Sequence, residues 1–103
     1  MVEGWLAGNP RAADHLVADG FLWAEAGDLP RAQARLQQAL AVDPRNTHAL
    51  VELGDVYERL DRPDRALALY EKALDINPNM PAVTDRARRL RDKGAGKPRP
   101  DAW

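Results

Sequence analysis

Three prolines, Pro10, Pro44 and Pro78, stand 34 residues apart in a chain of 103. Leu6, Leu40 and Leu74 keep the same interval, as do Asn9, Asp43 and Asn77, each immediately before its proline. Laid over one another without a gap, residues 13–46 and 47–80 share nine identities: Leu16/Leu50, Val17/Val51, Gly20/Gly54, Arg31/Arg65, Ala32/Ala66, Ala34/Ala68, Ala39/Ala73, Leu40/Leu74 and Pro44/Pro78. Composition alone would give about two or three. A fixed period of this length marks an array of small supersecondary units, none of which can bury its apolar face alone.

Each unit reads as two helices. In the second, Leu50, Leu53, Gly54, Tyr57 and Leu60 recur at three- and four-residue spacing. After a break at Asp61 to Pro63 the series Ala66, Leu69, Tyr70, Ala73 and Leu74 does the same. Pro63 suits a first helical turn, where its missing N–H would have had no partner. The first unit repeats the plan with Leu16, Gly20 and Trp23, a Gly27-Asp28 turn, then Ala32, Leu36, Ala39 and Leu40. Small residues at Gly20, Gly54, Ala32 and Ala66 let two helices joined by a short turn approach closely. Trp23, Tyr57, Leu36 and Tyr70 then fill the space beside them.

This pattern resembles the tetratricopeptide repeat. The second unit carries the signature at Leu50, Leu53, Gly54, Tyr57, Ala66, Tyr70, Ala73 and Pro78. The first carries it at Leu16, Gly20, Ala32, Ala39 and Pro44, accepts Trp23 and Leu36 as bulky equivalents, and departs at Asp19, where the signature wants leucine. The resemblance implies an all-α fold, a right-handed superhelical array of antiparallel helix-turn-helix hairpins. The expected organisation is a remnant of a preceding second helix at 1–12, repeats at 13–46 and 47–80, a capping helix at 81–93 and a flexible tail at 94–103.

The two ends differ. Residues 81–93 present Val83, Ala87 and Leu90 as a narrow apolar stripe, but Arg88 stands where Gly20 and Gly54 stood, and Arg91 where Trp23 and Tyr57 stood. A further helix packed there would bury unpaired charge, so this segment is expected to close the array. At the start, Leu6, Asn9 and Pro10 match the last turn of a second helix, which reads either as a piece of a longer array or as a stub at a native N-terminus. The apolar surface of residues 13–24 then lacks a neighbour, and self-association through this face is expected, with Trp5 in the contact.

The groove follows from the resemblance, which places extended ligands along the first helices of the pairs. It assigns to that surface Asp14, Val17, Ala18, Phe21 and Glu25, then His48, Val51, Glu52, Asp55 and Arg59, and finally Ala82, Asp85, Arg86 and Arg89. The lining is apolar at one end, acidic in the middle and basic at the far end. It suits a protein or peptide ligand with one or two cations facing Glu52 and Asp55 and an apolar anchor on Phe21. Co-chaperones of this family clamp a carboxylate with Lys, Asn and Arg side chains; here those positions are Val17, Phe21, Glu52, Ala82 and Arg86, and only Arg86 agrees, so that activity is not expected. The tail offers a ligand in the chain itself, since Lys97, Arg99 and Trp103 sit on a Gly- and Pro-rich leash whose ten residues reach roughly 33 Å when extended.

Other functions find little support. There are no cysteines, hence no disulfide or thiolate chemistry, and serine is absent as well. No phosphate loop, nucleophile elbow or acid pair in a cleft appears, so neither an enzyme nor a cofactor is expected. His48, Glu52 and Asp55 share a helical face at i, i+4 and i+7, a weak metal signal that brings all its ligands from one element. Thr47 and Thr84 sit near helix starts, where capping would explain them. The net charge of −1 conceals 8 basic and 14 acidic residues over 1–85 against 7 and 1 over 86–99. Arg86, Arg88, Arg89, Arg91, Lys93, Lys97 and Arg99 could attract RNA, but they lack interleaved aromatics beside an acidic body. No membrane span or signal peptide is legible, which as the chain stands reads as cytoplasmic. Twelve arginines against three lysines is a usage of GC-rich bacterial genomes.

Overall fold

The computed structural model describes residues 12–94. The readings made for the N-terminal remnant, for Trp5 and for the Lys97 to Trp103 tail lie outside the described residues. The described chain is all-α: α1 Ala12–Glu25, α2 Leu29–Val42, α3 Thr47–Arg59, α4 Pro63–Ile76 and α5 Pro81–Asp92. Consecutive helices pack on one another, and α1 also touches α3, so the first helices of the units line up along one side. No described helix is long and apolar enough to cross a membrane.

Two kinds of turn alternate, and each has a chemical cause. Within a unit the first helix ends in a left-handed residue, Gly27 at φ 87° and Asp61 at φ 60°. In both, the next amide reaches back five residues, Asp28 N–H to the Trp23 carbonyl at 2.9 Å and Arg62 N–H to the Tyr57 carbonyl at 2.8 Å. This closes the carbonyls that a helix end leaves open. Asp28 then caps α2 by accepting from Arg31 N–H at 3.2 Å. Glycine takes the left-handed conformation without a steric penalty and aspartate does not. Asp61→Gly is therefore expected to stabilise the domain by roughly 0.5–1 kcal/mol, read as a raised urea midpoint; a lowered midpoint would refute it.

Between units the second helix ends at an Asx-Pro pair. Asp43 and Asn77 are extended, at φ −140° and −132°, because the following proline ring disfavours helical backbone in the residue before it. Their side chains accept from the amide two residues on, Arg45 N–H at 3.2 Å and Asn79 N–H at 3.1 Å, the short-range bond that makes Asx residues turn formers. The 34-residue recurrence of this pair thus records a recurring turn.

The glycines stand where the helices of a pair meet. A Cβ built on Gly20 would lie 2.7 Å from Leu36 Cγ, and one on Gly54 would lie 2.5 Å from the Tyr70 ring. Tyr70, Leu36, Leu50 and Val56 are the largest fully buried side chains. The shared arginines have a counterpart role: Arg31 lies 4.7 Å from the centroid of Trp23 and Arg65 lies 5.8 Å from that of Tyr57, the same cation–aromatic contact at the same register in both units.

In α5 the stripe of Val83, Ala87 and Leu90 is buried against the array, while Arg88 and Arg91 are exposed. Arg91 reaches back to Glu71 at 2.7 Å. The threonines do not cap their helices. Asn46 is the cap of α3, accepting from Ala49 N–H at 3.0 Å. Thr84 lies inside α5, and its hydroxyl donates to the Met80 carbonyl four residues earlier at 3.1 Å.

Candidate functional site

The aligned first helices leave a groove with two adjoining hollows. The first, about 560 Å³, is lined by Asp14, Val17, Ala18, Phe21 and Leu22 of α1 with His48 and Glu52 of α3. The second, about 380 Å³, is lined by Thr47, His48, Val51 and Glu52 of α3, the Asn77 and Met80 turn, and Pro81 to Val83 of α5. Helical spacing explains the membership: Asp14, Val17, Ala18 and Phe21 share one face of α1, as His48, Val51, Glu52 and Asp55 do on α3. His48 and Glu52 border both hollows, so they mark the middle of the groove.

The charged lining is largely satisfied from within. Arg59 donates to the Ala24 carbonyl at 3.2 Å and pairs with Glu25 at 3.5 Å and with Asp55 at 3.0 Å. Arg86 lies 3.6 Å from the other oxygen of Asp55 and donates to the Tyr70 hydroxyl at 3.5 Å. Side chains of α3 and α5 thus meet at Asp55, which is not the open anion that the sequence suggests. Arg86 accordingly turns inward, and the basic far end is reduced to Arg89. That residue is exposed and borders a separate hollow with Glu58, Asp61, Pro63, Leu90 and Lys93.

Glu52 is different. Among the described residues its carboxylate has no hydrogen-bonding or ionic partner, and it is half-buried. Burial first, and the charge of Asp55 second, hold this carboxyl above the usual carboxylate range, against the pull of Arg86, Arg59 and His48. A carboxylate so placed gains more from an arriving cation than one in open water does. Asp14, by contrast, already accepts from the Asn46 amide at 3.3 Å. His48, Glu52 and Asp55 do not converge, and among the described residues no group of three or more such side chains is placed to hold a metal ion.

Several groove features were not anticipated, Thr47, Asn77, Pro81 and Val83 of the second hollow among them. Leu22 lines the first hollow and Met80 the second, and the Tyr70 hydroxyl holds Arg86 from beneath. Met80 and Tyr70 carry no local signal, since a turn methionine and a core tyrosine look like packing residues. Leu22 could have been found by register, because it answers to Val56 and Leu90.

Paired helices stacked in one register with a shared groove define the α-solenoid class of helical-repeat proteins. The family profile described as tetratricopeptide repeat matches residues 24–81, and the chain belongs to the tetratricopeptide-repeat family. It is also similar to the uncharacterized protein ycf37 of Pyropia yezoensis, at 37% identity over 60 residues, which is 58% of this chain and 34% of the relative. The match thus spans about a third of that protein's length.

Proposed function

We propose that this chain is a protein-interaction module whose groove holds an extended segment of a partner protein, with a Lys or Arg of that segment facing Glu52. Tetratricopeptide repeats mediate protein–protein contacts and are non-catalytic scaffolds, which supports the general reading. The particular reading is carried by one observation: Glu52 is a half-buried carboxylate where the two hollows meet, with no direct hydrogen bond or ion pair among the described residues. Val17, Ala18, Phe21 and Leu22 on one side, and Val51, Met80 and Val83 on the other, offer apolar contact to the ligand residues flanking the cation. The ligand pattern is therefore apolar, cationic, apolar. Asp55 acts indirectly, by holding Arg59 and Arg86 out of the cation's place.

Positional-scanning peptide arrays against the wild type, Glu52→Gln and Glu52→Lys test this. The wild type is expected to prefer Lys or Arg at one position. Glu52→Gln should weaken binding of such a peptide by roughly 10- to 100-fold, the range for a lost charge-assisted hydrogen bond. Glu52→Lys should favour an acidic residue there. Equal binding of cationic and neutral peptides by the wild type would overturn the reading. RNA binding through the basic segment is the weaker reading, because Arg86 and Arg91 already pair with Asp55 and Glu71.

A further inference from the structure

The turns inside the two repeats differ at one register position. In the first unit Asp28 stands before α2, accepting from the Arg31 N–H at 3.2 Å and pairing with the Arg31 guanidinium at 3.4 Å, while that guanidinium also lies over Trp23. In the second unit Arg65 lies over Tyr57 at the same register, but position 62 is arginine and α4 has no side-chain cap. The acid that the first unit supplies to its own arginine is missing from the second, and a further cation stands in its place.

Beside these two arginines lies a hollow of about 250 Å³, lined by Gln33 of α2, Tyr57 of α3, and Leu60, Arg62 and Arg65. None of these residues lines the two groove hollows. Among the described residues neither guanidinium has a hydrogen-bonding or ionic partner, and the neighbouring acids Asp61 and Asp64 do not line the hollow. The helix α5 also starts without a side-chain cap, at Met80, but no lysine or arginine lines the hollow there. The pair of guanidiniums around an open space sets the start of α4 apart.

We infer that this hollow is a second binding site, outside the groove, for a carboxylate group of a partner protein held between Arg62 and Arg65. The ring of Tyr57 covers one face of the Arg65 guanidinium and leaves its N–H edge, the planar fork that fits two carboxylate oxygens. Gln33 gives one amide N–H to the Tyr57 hydroxyl at 3.4 Å and keeps a second for the ligand. The chemistry of the occupant is taken from the first unit, where a carboxylate already fills the corresponding place against Arg31. This inference does not depend on what the groove binds.

NMR titration of the isotope-labelled full chain, followed at the arginine Nε–H resonances, tests it. The probes are N-acetyl-glutamic acid α-amide for a side-chain carboxylate, N-acetylglycine for a chain-terminal one, and N-acetyl-glutamine α-amide as the neutral counterpart. Saturable shifts of Arg62 and Arg65 with either acid, and none with the neutral probe, are expected; the tighter acid names the source. Arg65→Gln should weaken the acid about tenfold or more, the size of one charge-assisted contact. Arg62→Asp rebuilds the arrangement of the first unit, so it should raise the urea midpoint and abolish the titration together, which separates a filled site from an unfolded one. Arg88→Gln, on the exposed face of α5, should bind as the wild type does. Equal shifts with acid and neutral probes overturn the inference, as do shifts spread evenly over all arginines. So does an Arg62→Asp chain that still binds or is no more stable. Saturation by inorganic phosphate at a lower concentration than by either acid would also overturn it, since the site would then not be built for a carboxylate.

Discussion

Tyr70→Ala is expected to remove a large share of the domain's stability. Tyr70 is fully buried, and its ring fills the space opposite Gly54, where a Cβ would stand 2.5 Å away. Removing a buried aromatic of this size costs about 3–5 kcal/mol through lost transfer energy and the cavity left behind. A chain of this length has only about 5–15 kcal/mol in total. Collapse of the neighbours would lower the cost, but the facing glycine has no side chain with which to fill the gap. Tyr70→Phe keeps the ring and gives up only the long bond from Arg86, so it should lose about 1 kcal/mol or less. Urea titrations followed by circular dichroism would separate the two. A Tyr70→Ala loss below about 1 kcal/mol would show that the ring does not carry the helix contact.

The second large effect comes from pH. Burial, opposed by the hydrogen bond from Arg86, pushes the Tyr70 phenol up to about 12 from the ordinary 10.0. The unfolded chain releases this proton first, so stability is fully present below pH 10 and falls as the pH rises toward 12. Two pH units correspond to about 2.7 kcal/mol for one group. Wild type and Tyr70→Phe should therefore differ in the slope of stability against pH over this window, with the wild type falling more steeply. Equal slopes would mean that Tyr70 ionises as freely in the folded state as in the unfolded one.

What could be read in the sequence was whatever repeats. Leu50, Leu53, Ala66 and Ala73 report a helix contact by spacing alone, and Gly20 and Gly54 report a close approach because their counterparts are large. The turns were legible in position, at Gly27 and before each proline, but the side-chain bonds that shape them were not. Thr47 looked like a cap because threonine caps helices, yet Asn46, one residue earlier, takes that place. The groove was legible as a set of residues and much less so as a charge pattern. Spacing put Glu52 and Asp55 on one face with equal standing. Which of them is neutralised depends on Arg59 of the same helix and on Arg86 from a helix some thirty residues away, and only the packed structure settles that choice.

The alternation of turns has a consequence for how such a surface can change. The step from one unit to the next passes through Asp43-Pro44 and Asn77-Pro78, where a ring fixes one torsion and a side-chain bond restrains its neighbours. The curvature of the array is thus written into turn residues, of which Asn77 also borders the second hollow. Phe21, His48, Glu52 and Ala82 line the groove outside the packed core, so their charge and size can change with little effect on the backbone beneath, whereas Val17 and Val51 also pack on the core. Shape and selectivity thus overlap only at residues such as Asn77, Val17 and Val51, so a new ligand preference can arise by substitution at the rest of the lining on a scaffold that stays the same.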